Sequence, residues 1–513
     1  MSEDKSCPSA ADAVCEDGRQ PIEEFEREPV PERARLGFRS FLGMYAGEHT
    51  AGTELMIGPL FVAHGVSAFD FIIGLIVGNA LAVLSWMLFC APIAVRARLT
   101  LYFQLEKICG RKLVTAYNLA NGVMFTILAG AMITVSATAL GVWFKFRMPG
   151  LDDAAPTSLG WIIAVVVMGL LFAVCAAYGF KTISKFANIA APWMVLVFLA
   201  FGLITLRRFM DATGTQIHSL SDLWTMCQTT IWKGGEPLAG RAKFSFWHVM
   251  FFAWFCNMAW HIGLSDLTVF RYARKSWYAV ASAAGMYIGH FMAWICASLL
   301  YAYQLHLDPM NTDVHPGPMT YEAAGLTGLL CVVIAGWTTA NPTMYRAGLA
   351  FQAIMPKSSR FAVTLATGVC ATIAAAVYPK VTMRLLDFVA IWGLILMPMG
   401  AVIFVDFWLI KKFGLRSNFA EWSGRAFNWA AGLAWLITLT VCTICVQFGV
   451  ILDWLTTRGL LTLTAERAGW LKDTFTIEIF FVSLPGWFVT AILYVVISKL
   501  YQNKVRPAAE GGH

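Results

Sequence analysis

The chain has 513 residues, of which 58% are hydrophobic and only 13% are charged. Soluble proteins carry about 25% charged residues, so this composition excludes an ordinary soluble enzyme and favours a polytopic membrane protein. The net charge of +7 is spread in short groups between apolar runs. That distribution excludes the single basic face typical of nucleic-acid-binding proteins.

The two ends of the chain differ from its apolar body. Residues 1–35 are rich in Glu, Asp and Pro and lack the basic start and apolar core of a signal peptide. We therefore predict a disordered acidic cytoplasmic tail over 1–35, a transmembrane domain over 36–500, and a short cytoplasmic tail over 501–513.

Apolar segments long enough to cross a bilayer recur along the whole body of the chain. A crossing needs about 20 mostly apolar residues. Twelve segments qualify, and they predict an all-α protein with about 12 transmembrane helices: 38–63, 68–93, 113–143, 159–178, 187–206, 245–270, 277–304, 326–355, 361–378, 383–410, 427–449 and 475–500.

Charge in the connections predicts the orientation. Twelve crossings put both termini on one side, and Lys and Arg concentrate in the connections on that side. The loop 306–322 on the other side contains Asp308 and Asp313 but no Lys or Arg. The positive-inside rule therefore predicts a multi-pass protein of the cell membrane with both termini cytoplasmic.

Three connections contain amphipathic sequence. The stretches 207–244 and 450–474 are predicted to hold short surface helices. The segment 96–112 mixes basic residues with Leu, Tyr and Phe, which suits either an interfacial helix or a connecting loop.

Two of the apolar segments are interrupted by residues that a simple membrane anchor does not need. The first has Gly43, Gly47 and Gly52 beside Glu48, His49 and Glu54, and the sixth has Gly263, Ser265 and Asp266 after Trp260 and His261. Unpaired backbone groups in hydrocarbon are costly, so such breaks persist where they line a cavity. Two broken helices five segments apart are typical of inverted-repeat transporters.

Short motifs in a matching order point to a family. The segment Trp337-Thr338-Thr339-Ala340-Asn341-Pro342-Thr343-Met344-Tyr345, followed by Gly348-Leu349, resembles the eighth helix of cytosine permeases. The chain as a whole resembles the nucleobase:cation symporter-1 family, the permeases for cytosine, purines, uracil, thiamine, allantoin and hydantoins. The other similar motifs are Pro29-Val30-Pro31-Glu32-Arg33, Gly65-Val66-Ser67, Gly78-Asn79, Gly179, Ile189-Ala190-Ala191-Pro192, Pro398-Met399-Gly400, Asp406-Phe407 and Asn428-Trp429.

This resemblance implies a LeuT-type architecture, in which a five-plus-five inverted repeat with broken helices 1 and 6 is followed by two extra helices. It also implies uptake coupled to Na⁺ or H⁺, with no other cofactor. Thr338 and Thr339 match the hydroxyl pair that holds Na⁺ together with carbonyls of helix 1. Interhelical hydrogen bonding is the alternative role for these threonines.

The sequence departs from the family pattern at three places. Thr268 stands where the family usually has an Asp, and Asp266 lies two residues earlier, which rotates a helical side chain by about 200°. The Gln and Trp that contact substrate from the third helix have no clear counterpart around Asn121 and Phe125. Glu48 and His49 are not usual family residues.

The candidate substrate-binding residues follow from these breaks and departures. Glu48 could accept N–H groups, His49 could carry a coupling proton, Trp260 could stack on a planar ring, and Asn341 could read a ring edge. Each residue also has a purely structural alternative. The full predicted set is Glu48, His49, Gly52, Thr53, Trp260, His261, Gly263, Asp266 and Asn341, with Thr338 and Thr339 as the predicted Na⁺ site.

Other ionisable residues receive structural interpretations. Glu54 is predicted to form a buried ion pair with Arg346. His64, His248 and His290 lie singly in apolar surroundings and are treated as structural.

The leading functional hypothesis is a secondary transporter that imports a nucleobase or related nitrogen heterocycle with Na⁺ or H⁺. One alternative keeps the fold and carries a cationic or zwitterionic amine or vitamin-like compound, because Glu48 and Asp266 are acidic. Another is a transporter-like sensor that signals through the acidic tail. An enzyme is disfavoured, since the sequence has no recognisable catalytic motif. The expected partners are a small molecule and the lipid bilayer, without nucleic acid, and the expected state is a monomer.

Overall fold

The structure is a computed structural model that describes residues 25, 27–149, 153–380 and 385–502, the side chains of 385–390 and 480 excepted. Helices account for most of it. In chain order they are α1 Arg39–His49, α2 Glu54–Ala63, α3 Ala68–Ala97, α4 Leu101–Cys109, α5 Arg111–Phe144, α6 Leu159–Ala177, α7 Phe180–Thr213, α8 Leu220–Met226, α9 Phe246–Phe255, α10 Met258–His261, α11 Leu267–Phe270, α12 Ser276–Leu307, α13 Pro316–Ile354, α14 Arg360–Val377, α15 Leu385–Trp408, α16 Phe419–Ser423, α17 Trp429–Thr457, α18 Ala465–Phe475 and α19 Ile479–Gln502.

The twelve predicted crossings are confirmed as helical segments. Within the described residues, ten helices are long and apolar enough to cross a membrane: α3, α5, α6, α7, α12, α13, α14, α15, α17 and α19. The other two crossings are the predicted broken segments, made of α1 with α2 and of α9 with α10 and α11. The surface helices expected in 207–244 and 450–474 are α8 and α18, and the segment 96–112 contains the helix α4 rather than a plain loop.

Local backbone geometry explains the two breaks. After α1, Thr50 leaves helical geometry with φ −100° and ψ 57°. At Gly52 the chain runs so close to α5 that an added Cβ would lie 2.5 Å from the Val135 side chain. In the sixth segment, Leu264 has φ 63°, a left-handed conformation that costs energy in a residue other than glycine. These backbones cannot continue as one helix.

The packing of the broken helices shows the inverted repeat. The α2 half of the first packs along α12, and the α9 half of the sixth packs along α3. Small residues allow both contacts: a Cβ on Gly58 would lie 2.6 Å from Ala297, and one on Gly78 would lie 2.4 Å from the carbonyl oxygen of Met250. Close backbone approach of this kind is how membrane helices associate.

One end of the bundle, which we call the terminal face, carries residues near both chain ends. The amide of Leu36 donates to the carbonyl oxygen of Tyr272 at 2.6 Å, and the amide of Val30 donates to the carbonyl oxygen of Arg98 at 3.0 Å. Residues 27–35 of the predicted tail are thus packed against the bundle. Residues 1–24 and 503–513 of the predicted tails lie outside the described residues.

Candidate functional site

A small cavity lies where the breaks of the two discontinuous helices meet. Its walls combine aromatic, apolar and polar side chains, namely Glu48, His49, Thr53, Glu54, Ile57, Leu128, Met132, Cys256, Asn257, Trp260, His290 and Thr339.

The predicted site residues divide into two groups. Glu48, His49, Thr53, Trp260 and Thr339 line the cavity. The other predicted residues lie in the surrounding helices and are not part of its lining: Gly52, His261, Gly263, Asp266, Thr338 and Asn341.

A buried charge cluster lies against one side of the cavity. The Arg346 guanidinium of α13 donates to Glu48 Oε1 at 2.5 Å and to Asp266 Oδ1 at 2.8 Å. The three side chains are at most 5% exposed. We call Glu48, Asp266 and Arg346 the Arg346 cluster. It ties α13 to both broken helices by charge-assisted hydrogen bonds, the stronger kind.

Asp266 has a second set of partners. Its Oδ2 accepts from the Tyr45 hydroxyl at 2.5 Å and from the Trp86 indole at 2.7 Å. The residue lies in the unwound stretch before α11, so the 200° rotation expected for a two-residue shift along a continuous helix does not apply. The carboxylate is fully committed to protein groups.

The predicted ion pair between Glu54 and Arg346 is wrong. Arg346 pairs with Glu48 and Asp266. Glu48 lies on the α13 side of the break, and the non-helical residues after His49 turn Glu54 away from it. Glu54 begins α2 and lies on the α12 side. There it accepts a hydrogen bond from the Trp294 indole.

Glu54 and its neighbours form a second polar group on the cavity wall, which we call the Glu54 cluster: Glu54, His290, Trp294 and Thr53. His290 Nε2 lies 3.6 Å from Glu54 Oε1, and the Thr53 hydroxyl donates to the same oxygen at 3.4 Å. The His290 ring stacks on Trp294 with 4.4 Å between centroids.

Trp260 lies between the cavity and a wall of aromatic rings. Its ring packs edge-on against Trp392 at 4.8 Å and Phe125 at 6.0 Å, and the Arg346 guanidinium lies 5.4 Å from its centroid. The indole N–H of this buried residue has no hydrogen-bond partner among the described residues. A ligand acceptor entering the cavity could satisfy it.

His49 connects the two polar clusters. Its Nδ1 lies 2.9 Å from the Tyr45 carbonyl oxygen, and its ring meets that of His290 at 4.8 Å. Glu48 is its chain neighbour, so one turn of α1 contributes to both clusters.

Several predicted residues have other surroundings. His261 packs its ring on Trp86 at 4.5 Å and bonds the Trp254 carbonyl at 3.0 Å. The Asn341 amide lies 3.2 Å from Cys175 Sγ. Cys175 belongs to α6, a helix that does not contribute to the cavity. Gly52 and Gly263 provide close backbone contacts instead of cavity wall.

The two threonines predicted to hold Na⁺ share one acceptor, because the hydroxyls of Thr338 and Thr339 lie 3.0 and 3.1 Å from the carbonyl oxygen of Ala335. Thr339 Oγ1 donates to the Glu48 carbonyl at 3.1 Å, which joins α13 to the break in the first helix. Thr338 Oγ1 bonds the Ala335 carbonyl at 3.0 Å and faces Met194 Sδ at 3.8 Å. Sodium prefers several hard oxygens, and a thioether is a soft neighbour. The two hydroxyls and the Ala335 carbonyl supply three such oxygens close together, so the Na⁺ site on Thr338 and Thr339 remains a prediction.

Sequence reasoning missed His290 and Asn257, which the structure brings within 3.4 Å of each other on the cavity wall. Asn257 is an isolated amide in the apolar run of the sixth segment, and His290 follows Gly285 and Gly289. A polar residue beside close-packing glycines inside an apolar segment was the available signal.

Comparison with solved structures identifies the fold. Mhp1, described as a nucleobase-cation-symport-1 family transporter, closed with bromovinylhydantoin bound, gives a TM-score of 0.66 at 13% identity over 96% of this chain and 98% of that chain. Its inward-facing conformation gives 0.64 at 14% identity over 93% of each chain. A Na⁺-coupled sialic acid symporter in a substrate-bound outward-open state gives 0.59 at 14% identity over 96% of this chain and 93% of that chain.

Neither a family model nor a curated protein matches the sequence. The structural similarity nevertheless extends over nearly the whole chain. The chain is therefore a multi-pass membrane protein with the LeuT-type inverted-repeat fold of these symporters.

Proposed function

We propose that the protein is a secondary active transporter that imports a planar nitrogen heterocycle, of the nucleobase or hydantoin kind, together with a cation by alternating access. The observation that carries this proposal is the cavity at the junction of the two broken helices. In this architecture the midpoint of the helix breaks is where substrates bind. Both termini are proposed to be cytoplasmic, and a single copy contains the whole cavity.

The cavity wall has the groups that a heterocycle needs. Trp260 presents indole surface and an N–H that no described residue accepts, while Asn257 offers an amide donor and acceptor. Leu128 and Met132 add apolar surface. A flat, mostly apolar ring with a few polar edges would bury its faces and pair its edges here.

The two carboxylates for which a cationic amine was considered as an alternative substrate are not free to bind an amine. That alternative rested on Glu48 and Asp266, and both carboxylates are paired with Arg346. An amine would have to compete with a guanidinium that already bonds both groups. A neutral ring needs no such exchange.

A thermal-shift screen of the purified full-length protein tests this proposal. Hydantoins, nucleobases, allantoin and small amines would each be measured with Na⁺ and with choline, at two pH values. Binding to the folded state raises the unfolding temperature by mass action. We expect stabilisation by a planar heterocycle, whereas stabilisation by amines alone would overturn the proposed substrate class.

A pair of tryptophan variants locates the binding site. Trp260→Leu should remove the stabilisation, while Trp247→Leu should keep it, because Trp247 is 59% exposed on the outer surface of the helices. Equal loss from both variants, or from neither, would contradict binding in this cavity.

A further inference from the structure

We propose that Glu54 and His290 together form the binding site for a coupling proton on the cavity wall. This inference rests on the proposed transport function and names its coupling ion. Neither residue was expected to have such a role from the sequence, where both were given structural interpretations.

The first observation is how Glu54 is buried. Its side chain is 4% exposed, and its partners are the Trp294 indole, the Thr53 hydroxyl and the imidazole of His290. No Lys or Arg pairs with it in the described part of the chain. An ionised carboxylate without a cationic partner is very costly to bury.

The second observation is that one partner of Glu54, the imidazole of His290, can itself bind a proton. A neutral imidazole 3.6 Å from a carboxylate leaves a negative charge in a site of low dielectric. One proton removes this cost in either of two places: on Glu54, which becomes neutral, or on His290, which forms an ion pair. His290 Nδ1 has no hydrogen-bond partner among the described residues, so the ring has a free position for a proton or an acceptor.

The third observation is access. Glu54 and His290 both line the cavity, so water or substrate that enters it reaches them. They also belong to two helices, α2 and α12, that pack against each other next to the helix break. A change in protonation there acts on the contact between the broken first helix and its neighbour.

The surrounding titratable groups are few. His49 faces His290 from α1, and Cys256, at the end of α9, lines the cavity with them. Beyond His49 lies the Arg346 cluster, in which the guanidinium is bonded to both carboxylates. The fixed charge is therefore confined to one side of the cavity, and the exchangeable proton is on the other.

The proton balance is simple. One proton enters from water in the cavity and binds to the pair while the cavity is open to the outside. It neutralises the buried carboxylate during the change of access and leaves to water on the terminal face. No other bond forms or breaks, and no oxidant or reductant is needed.

Infrared difference spectroscopy tests the proton site without a substrate. Spectra of the purified full-length protein taken across a pH titration would be searched for the C=O band of a protonated carboxyl group. We expect a band that disappears with rising pH, is absent in Glu54→Gln, and titrates at a different pH in His290→Gln. Glu106→Gln, on the terminal face, is the matched control and should leave the band unchanged.

Proteoliposomes test the coupling, with the heterocycle found in the binding screen as the probe. Glu54→Gln should lose accumulation driven by a pH gradient but retain counterflow exchange. Unchanged pH-driven accumulation, or an infrared band that is unaffected by Glu54→Gln, would overturn the proton site. If no heterocycle binds at all, the proposed function fails, while the infrared result still decides the proton site.

Discussion

The two halves of the broken first helix each carry one buried glutamate, and the two are held in opposite ways. Glu48, at the end of α1, is paired with a guanidinium that cannot lose its charge. Glu54, at the start of α2, is held by an indole, a hydroxyl and a titratable imidazole. Only five residues therefore separate a permanently compensated carboxylate from one whose charge depends on a proton.

The difference distinguishes a cluster that holds the helices together from a cluster that exchanges a proton. Arg346 reaches from α13 to carboxylates of both discontinuous helices, so its charge holds three elements together. The Glu54 cluster joins two elements and opens on the cavity. Removing a charge should therefore damage the fold on the first side and the function on the second.

The largest effect is expected from Arg346→Met. This change leaves Glu48 and Asp266 buried without a cation, and breaking a buried ion pair in this way costs about 3–5 kcal/mol. We expect a severe loss of folded protein, measured as the monodisperse fraction in size-exclusion chromatography and as the unfolding temperature.

A neutral triple variant is the control for that prediction. Glu48→Gln and Asp266→Asn combined with Arg346→Met remove the whole charge cluster, and neutral replacements of buried ion pairs are often tolerated. Recovery of most of the folded yield would show that unpaired charge causes the damage. A triple variant as poorly folded as the single one would point instead to lost packing around Trp260.

An intermediate effect is expected from Gly289→Ala. An added Cβ would lie 2.6 Å from the His49 carbonyl oxygen, and overpacking of this kind costs about 1–3 kcal/mol. The backbone contact between α1 and α12 would widen, and a lower unfolding temperature should follow. Gly469→Ala on α18, where an added Cβ meets nothing within 4 Å, should leave that temperature unchanged or raise it slightly, because alanine favours a helix more than glycine does.

A smaller effect is expected from Thr339→Val. The change removes the hydroxyl that is shared between the carbonyls of Glu48 and Ala335, and a hydrogen bond contributes about 0.5–1.5 kcal/mol net. Thr338→Val should cost less, because its hydroxyl bonds only within its own helix and faces a thioether. Equal changes in unfolding temperature would mean that Thr339 does not join the two helices.

The smallest effect on stability is expected from Glu54→Gln. The amide oxygen can still accept from Trp294, and no cation loses its partner. The unfolding temperature should stay close to that of the unchanged protein near neutral pH. A collapse similar to that of Arg346→Met would contradict the contrast between the two glutamates.

The sequence predicts much of this architecture because bilayer crossing leaves a long and unambiguous signal. Apolar runs set the twelve segments, and clustered glycines with ionisable residues set the two breaks. The pairing of Arg346 was not predictable in the same way. The four residues Thr50–Thr53 rotate α2 relative to α1. The periodicity of apolar residues in the sequence does not indicate the size of this rotation.

The direction of side chains within α13 was equally hidden. Asn341 faces α6 and Thr339 faces the cavity, although both belong to one motif. Which side of a buried helix meets which neighbour depends on the packing of the whole bundle. A lone histidine such as His290 is also ordinary in an apolar helix until its neighbours are known.

Glu48 is attached to α13 at two points, through its carbonyl to Thr339 and through its carboxylate to Arg346. One contact alone would leave the end of α1 free to rotate relative to α13. A second contact restricts that rotation. The carbonyl and carboxylate contacts of Glu48 therefore restrain both the position and the rotation of the end of α1 relative to α13. Because Arg346 also donates to Asp266, one side chain restrains the end of α1 and the break of the sixth segment together.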